Sequence, residues 1–251
     1  MTDLSVPQTV TKPSALVPAY RHLGSHLRFW MVGAVLLSAD LWSKEKVFRT
    51  LEPSETVTVV PNVLEFRRSL NDGAVFGSFT GYVGLFIAAS VFALGFVIYL
   101  FAAGKHKQWA QQLALGMILA GATGNLYDRW TQVADIVTYS TSSGREVSII
   151  GRVVGDPSDK NVRVGAWPEG THEQVFSRSQ VQIRRQGVVR DFLKFVPEFP
   201  TWVPRLGGLD IWPWIFNVAD AALVCGVFLL LGGSWLERKF GAADHECAES
   251  P

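Results

Sequence analysis

Cysteine is nearly absent from these 251 residues, with Cys225 inside an apolar run and Cys247 among the last five. Two such residues supply neither a disulfide framework nor a zinc site. Charge is scarce as well, at 18% of residues against 48% hydrophobic, a balance that excludes an ordinary cytosolic enzyme. The 23 Lys and Arg nearly cancel the 22 Asp and Glu, leaving +1. A chain with so weak a net field does not gather nucleic acid, which is excluded as a partner. Internal repeats, heptads and low-complexity tracts are missing too, apart from a short polar start.

What the sequence has is apolar length. Residues 81–104 and 108–127 carry no charge, and each run, wound as a helix, could cross roughly 30 Å of hydrocarbon. Four candidate spans follow, at about 29–47, 82–103, 108–128 and 211–235. Seven of nine tryptophans bracket them (Trp30, Trp42, Trp109, Trp130, Trp212, Trp214, Trp235), as expected of indoles settling in a headgroup layer. The first residues hold Pro7, Pro13 and Pro18, and no small-residue cleavage site closes the first apolar run. They read as a disordered tail before an uncleaved helix. Arg21, Arg28, Lys105, Lys107, Arg238 and Lys239 lie in short flanks and place both termini in the cytoplasm, with two long connections outside. In those connections ETVTVVP, NVLEFRRSL, REVSIIGRVVG and NVRVGAW read as short strands, the last two separated by the turn-forming GDPSDKN. The fold expected is an all-α polytopic membrane protein: four transmembrane helices with small β-rich extracytoplasmic elements.

Along the expected path Asp40, Asn125, Asp128, Asn217 and Asp220 reach one outer depth, joined by Asn71. An acid in hydrocarbon costs a few kcal/mol or more, so those that persist are paired, near water or functional. Asp40 has Lys44 one turn on, which makes it a supporting residue. Asp128 followed by Arg129 reads either as an interfacial ion pair or as a substrate contact. Asp220 differs, because no cation occurs from 211 to 231. Spacings of i to i+3 put Asn125 beside Asp128 and Asn217 beside Asp220, each amide able to orient its acid.

Four blocks, LSADLWSK (37–44), NDGAVFG (71–77), AGATGNLYDRW (120–130) and FNVADAALVCG (216–226), occur in the order and places of the motifs of lipoprotein signal peptidase, or signal peptidase II, which the chain resembles. The resemblance does not reach residues 1–26 or most of 131–186. It implies an aspartyl protease of the bacterial inner membrane, in which two carboxylates on the outer side activate water. Two close carboxylates share a proton, so neither metal nor cofactor is implied. Family members cut a prolipoprotein before its diacylglyceryl-modified cysteine. One catalytic acid carries over to Asp220. The other falls on Asp191, in GVVRDFLKF, or on Asp135, in QVADIV. Asp191 is favoured for its spacing from Asp220 and its flanking Gly, Val and Phe, although Arg190 stands where the family has an apolar residue. Asp40, Lys44, Asn71, Gly73, Asn125, Asp128, Arg129 and Asn217 are expected to support the pair or hold substrate.

The implied divisions are a cytoplasmic tail over 1–26, three helices over 27–130 with an outer β-rich loop at 49–79, and a β-rich insertion at 131–187. A juxtamembrane catalytic segment and fourth helix fill 188–240, before a cytoplasmic tail at 241–251. The expected partners are lipid-modified prolipoproteins and membrane lipid, with the protein a monomer. An ion-coupled carrier and an inactive membrane scaffold are the alternatives; the carrier is disfavoured because the acids cluster at one surface, away from the midplane.

Overall fold

The computed structural model describes residues 17–73, 83–156 and 159–246. These contain four α-helices and nine strands, the strands forming two antiparallel sheets. The all-α expectation is therefore corrected: the architecture mixes α and β, with the strands as a principal component. Alternating segments such as TVTVV and EVSIIGRVV are marginal as isolated hairpins, and they gain stability only by pairing on into complete sheets. Nor, among the described residues, is any helix long and apolar enough to cross a membrane. Helix α1 (Leu23–Thr50) carries Arg28, Asp40, Lys44, Glu45, Lys46 and Arg49. The run expected to span at 211–235 becomes helical only as α4 (Val218–Glu246), because Ile215 and Phe216 are taken up as a strand paired with Lys194 and Leu193. Of the expected span 82–103, helix α2 is Val83–Ala103, and Tyr82 lies outside the described residues.

The stretch read as a tail is partly folded. Ala19–Arg21 forms a 3-10 turn, and the Ala19 N–H donates to the Gly104 carbonyl at 2.8 Å. Residues 1–16 and 247–251 lie outside the described residues, while 241–246 continue α4.

Helix α3 (Trp109–Thr131) packs against α1, α2 and α4. Its glycines set how closely. A Cβ on Gly124 would stand 2.5 Å from an Asp40 carboxylate oxygen, so only glycine lets α1 and α4 meet here. At one end of this bundle Phe29, Val97, Phe101 and Leu115 form a buried cluster.

At the other end sits a four-stranded sheet, ordered β1 (Thr56–Val60), β2 (Leu64–Asn71), β8 (Val189–Phe195) and β9 (Ile215–Phe216). Between β2 and β8 in sequence comes a second sheet of β3 (Val133–Ser140), β4 (Glu146–Val154), β5 (Asn161–Ala166), β6 (Thr171–Ser177) and β7 (Val181–Gly187), in the order β6-β5-β4-β3-β7. This second sheet has its own core of Val137, Val162 and Val164. The first is seated on α1 through Val47, Phe48 and Phe192. Pairing of β2 with β8 sets Ser69 opposite Asp191 and Asn71 opposite Val189. Residues 122 and 118 positions apart thus meet on one sheet, directly above the ends of α1, α3 and α4.

Candidate active site

Two carboxylates converge where β8 meets the start of α4. Asp191 lies on β8 with 2% of its surface exposed, and Asp220 is half-buried in the first turn of α4. Asn217 joins them. Its side-chain Nδ2 donates to Asp191 Oδ1 at 2.6 Å and its backbone N–H donates to Asp220 Oδ2 at 3.2 Å. In return Asn217 Oδ1 accepts the Asp220 backbone N–H at 2.9 Å, a reciprocal cap that opens α4 with both residues fixed.

Each acid has a second amide. Asn71 Nδ2 donates to Asp191 Oδ2 at 3.1 Å, while Asn125 Nδ2 donates to Asp220 Oδ1 at 2.8 Å. Asn125 therefore serves the acid across the helix interface and not Asp128 on its own helix, which corrects the i to i+3 expectation. Its orientation is forced, because its Oδ1 accepts from Lys44 Nζ at 3.2 Å and from Asn217 Nδ2 at 3.1 Å. Lys44 has only donors to offer, so the atom facing it must be the amide oxygen.

Behind the carboxylates lies a buried ionic layer. Asp40, Lys44 and Asp128 are wholly inaccessible, with Lys44 Nζ 2.8 Å from Asp40 and 3.5 Å from Asp128. The expected Asp40–Lys44 pair forms, and Asp40 Oδ1 also accepts the Ala219 N–H at 2.8 Å, tying α1 to the start of α4. Asp128 bonds the guanidinium of Arg190, 2.8 Å from its Nη2, and accepts the Arg190 backbone N–H at 2.9 Å. Arg190 reaches on to Glu45 at 2.8 Å. Neither partner was expected of Arg190. The one available signal was that an arginine replaces an apolar residue next to a candidate acid. Arg129 stands within electrostatic range of Asp191, Asp220, Asp72 and Asp128.

Burial pushes the Asp191 carboxyl up to about 7, and the neighbouring Asp220 charge pushes the same way; the amides of Asn217 and Asn71 oppose both. Asp135 is elsewhere. It lies on β3 in the second sheet, where Oδ2 accepts the Val153 N–H at 2.9 Å. Gly73 adopts φ 84° and donates its N–H to Asn71 Oδ1 at 2.8 Å, a turn that holds the Asn71 amide toward Asp191 and that favours glycine. Gly77 lies outside the described residues.

The chain matches the model of the signal peptidase (SPase) II family over residues 32–236. It is 34% identical over 217 residues to a lipoprotein signal peptidase of Anoxybacillus flavithermus, covering 84% of this chain and 87% of that one. A lipoprotein signal peptidase of Desulfitobacterium hafniense is 26% identical over 202 residues, covering 80% and 89%. Among solved structures, a bacterial membrane enzyme determined by the in meso method at 2.3 Å resolution shares the fold, with TM-score 0.53, 18% identity, and coverage of 86% of this chain and 90% of that one. The matched region takes in both converging carboxylates, their amides and the ionic layer beneath, and the chain belongs to the signal peptidase II family.

Proposed function

We propose that Asp191 and Asp220 are the two acids with which this chain, an aspartic endopeptidase of the signal peptidase II family, removes the signal peptide from prolipoproteins. The observation that carries the assignment is Asn217, whose side chain and backbone bond one carboxylate each. Cleavage of a lipidated prolipoprotein by the purified protein, with each acid changed in turn, tests it.

The environments divide the labour. Asp191, buried and raised to about 7, carries the shared proton. Asp220 is half-buried, its oxygens held by N–H donors from Asn125 and Asn217, and it serves as the base beside the protonated Asp191. Asp220 takes a proton from water as the oxygen attacks the scissile carbonyl, and Asp191 gives its proton to the carbonyl oxygen. Collapse of the tetrahedral intermediate passes the proton held by Asp220 to the leaving amine, while Asp191 recovers its own. The supporting amides work through geometry. Asn125→Ala and Asn217→Ala are each expected to lower kcat roughly tenfold or more, the equivalent of one lost charge-assisted hydrogen bond of about 1.5–3 kcal/mol, as steady-state cleavage assays would show.

The protein acts as a monomer at the bacterial inner membrane beside membrane lipid, with its termini cytoplasmic and both sheets, hence the dyad, on the outer side. Lys105 and Lys107, between α2 and α3, favour the cytoplasmic face at the opposite end of the bundle. In a Cys225→Ala, Cys247→Ala background, cysteines placed at the exposed Glu55 and Asp159 should react with an impermeant thiol reagent in intact cells, while one at Lys107 should not. The opposite labelling would put the dyad on the wrong side for a prolipoprotein.

A further inference from the structure

The second sheet supplies none of the groups used above, yet it grips the strand that carries Asn71. Strand β2 has a bulge against β8: Phe66 faces Leu193 and Ser69 faces Asp191, three steps on one strand against two on the other. Arg68 sits in that bulge, its side chain 5% exposed. The guanidinium donates to the Leu51 carbonyl at 3.0 Å, to the Trp167 carbonyl, and to the Glu169 carboxylate at 3.2 and 3.4 Å, and it lies 5.0 Å above the Phe48 ring. Trp167 is held in turn, its indole N–H donating to the Val133 carbonyl at 2.9 Å. Four residues on, just past the end of β2, the same sheet takes hold again, where Gln186 Nε2 donates to the Asp72 carbonyl at 3.2 Å. Residues 69–71, which pair with 189–191 and include the Asn71 amide on Asp191, are thus bracketed by two contacts from the second sheet.

We infer that Arg68 is a positioning residue for Asp191: anchored on Trp167 and Glu169, it fixes the β2 bulge and through it the register that presents the Asn71 amide to the catalytic carboxylate. The second sheet is then a brace for the active site. A bulge is the place in a ladder where one extra residue re-aims all that follow, and a slip of one residue turns every later side chain to the other face. A displacement near 1 Å at a catalytic group can cost about a hundredfold in rate.

The test rests on the peptidase reading, so it begins with wild-type cleavage of a lipidated prolipoprotein across a range of pH. Absence of that cleavage would overturn the peptidase reading, and this inference with it. Given wild-type activity, Arg68→Met should lower kcat by roughly ten- to a hundredfold with KM changed less than about twofold. It should also move the alkaline limb of the kcat profile upward, because loosening the Asn71 bond removes a donor that favours the ionised acid. Arg68→Lys, which keeps the charge without the fork, should recover part of the rate. Glu169→Gln alters a half-exposed partner, leaves the fold intact, and should reproduce the shift on a smaller scale; it decides the matter if Arg68→Met does not fold. Arg163→Ala, which breaks a pair with Glu173 in the same sheet, should change neither quantity. An unmoved alkaline limb in both Arg68→Met and Glu169→Gln, with kcat falling only as the folded fraction falls, would overturn the inference.

Discussion

Asp220→Asn and Asp191→Asn are each expected to reduce prolipoprotein cleavage by a factor on the order of 10² to 10⁴ while the protein stays folded. An amide keeps the shape of the carboxyl but can neither take a proton from water nor hand one to the substrate. Asp135→Asn should retain near-normal turnover, since its carboxylate is spent on a backbone N–H of the second sheet. Loss of activity in Asp135→Asn with survival in Asp191→Asn would reverse the assignment. The pH profile adds a second reading. With Asp191 raised to about 7, the shared proton is lost as the pH climbs through 7, and kcat should fall with it. Stability follows the same group. A folded-state value above the unfolded 3.8 means that the native protein holds a proton the unfolded chain has released, so stability falls as pH rises from 3.8 through about 7. The loss is about 4 kcal/mol at most, and Asp191→Asn should abolish that slope in thermal melts across pH.

Lys44→Met should bring the largest loss of stability in the molecule, about 3–5 kcal/mol, measured by thermal unfolding in detergent. The ammonium is wholly buried between Asp40 and Asp128 and also holds the Asn125 oxygen. Its removal leaves Asp40 ionised or protonated in an inaccessible place without a cation, and frees Asn125 to turn its amide away from Asp220. Asp128 suffers less, because Arg190 remains. Adding Asp40→Asn to Lys44→Met should therefore restore part of the stability but little of the activity, since the Asn125 orientation is still lost. Equal recovery of both would mean that Lys44 acts only as a counter-ion.

Local spacing made several features legible. FNVAD places Asn217 and Asp220 three residues apart, and they cap the first turn of α4 reciprocally, as short-range helix geometry requires. Asp40 and Lys44 stand one turn apart and pair. Alternating runs such as TVTVV and EVSIIGRVV marked strands. What misled was also local: long apolar runs suggested four spans, whereas the polar residues of α1, the strand at 215–216 before α4 and the strands of the two sheets yield a mixed fold.

Composition, order and periodicity by themselves determined which residues are chemically unusual: an acid with no nearby cation and asparagines at helical spacing; the family resemblance added an arginine where that family has an apolar residue. Only the tertiary structure decided which of them meet. Asn125 turned from Asp128 to Asp220, Asp128 took Arg190 as its bonded cation, and Asn71 reached Asp191 through the register of β2 on β8. The physical reason is that helical spacing fixes neighbours within one turn of a single element. Partners 62 to 120 residues apart are chosen by the close approach of α1 and α4 to α3 and by one bulge in a sheet, whose packing depends on the whole chain at once.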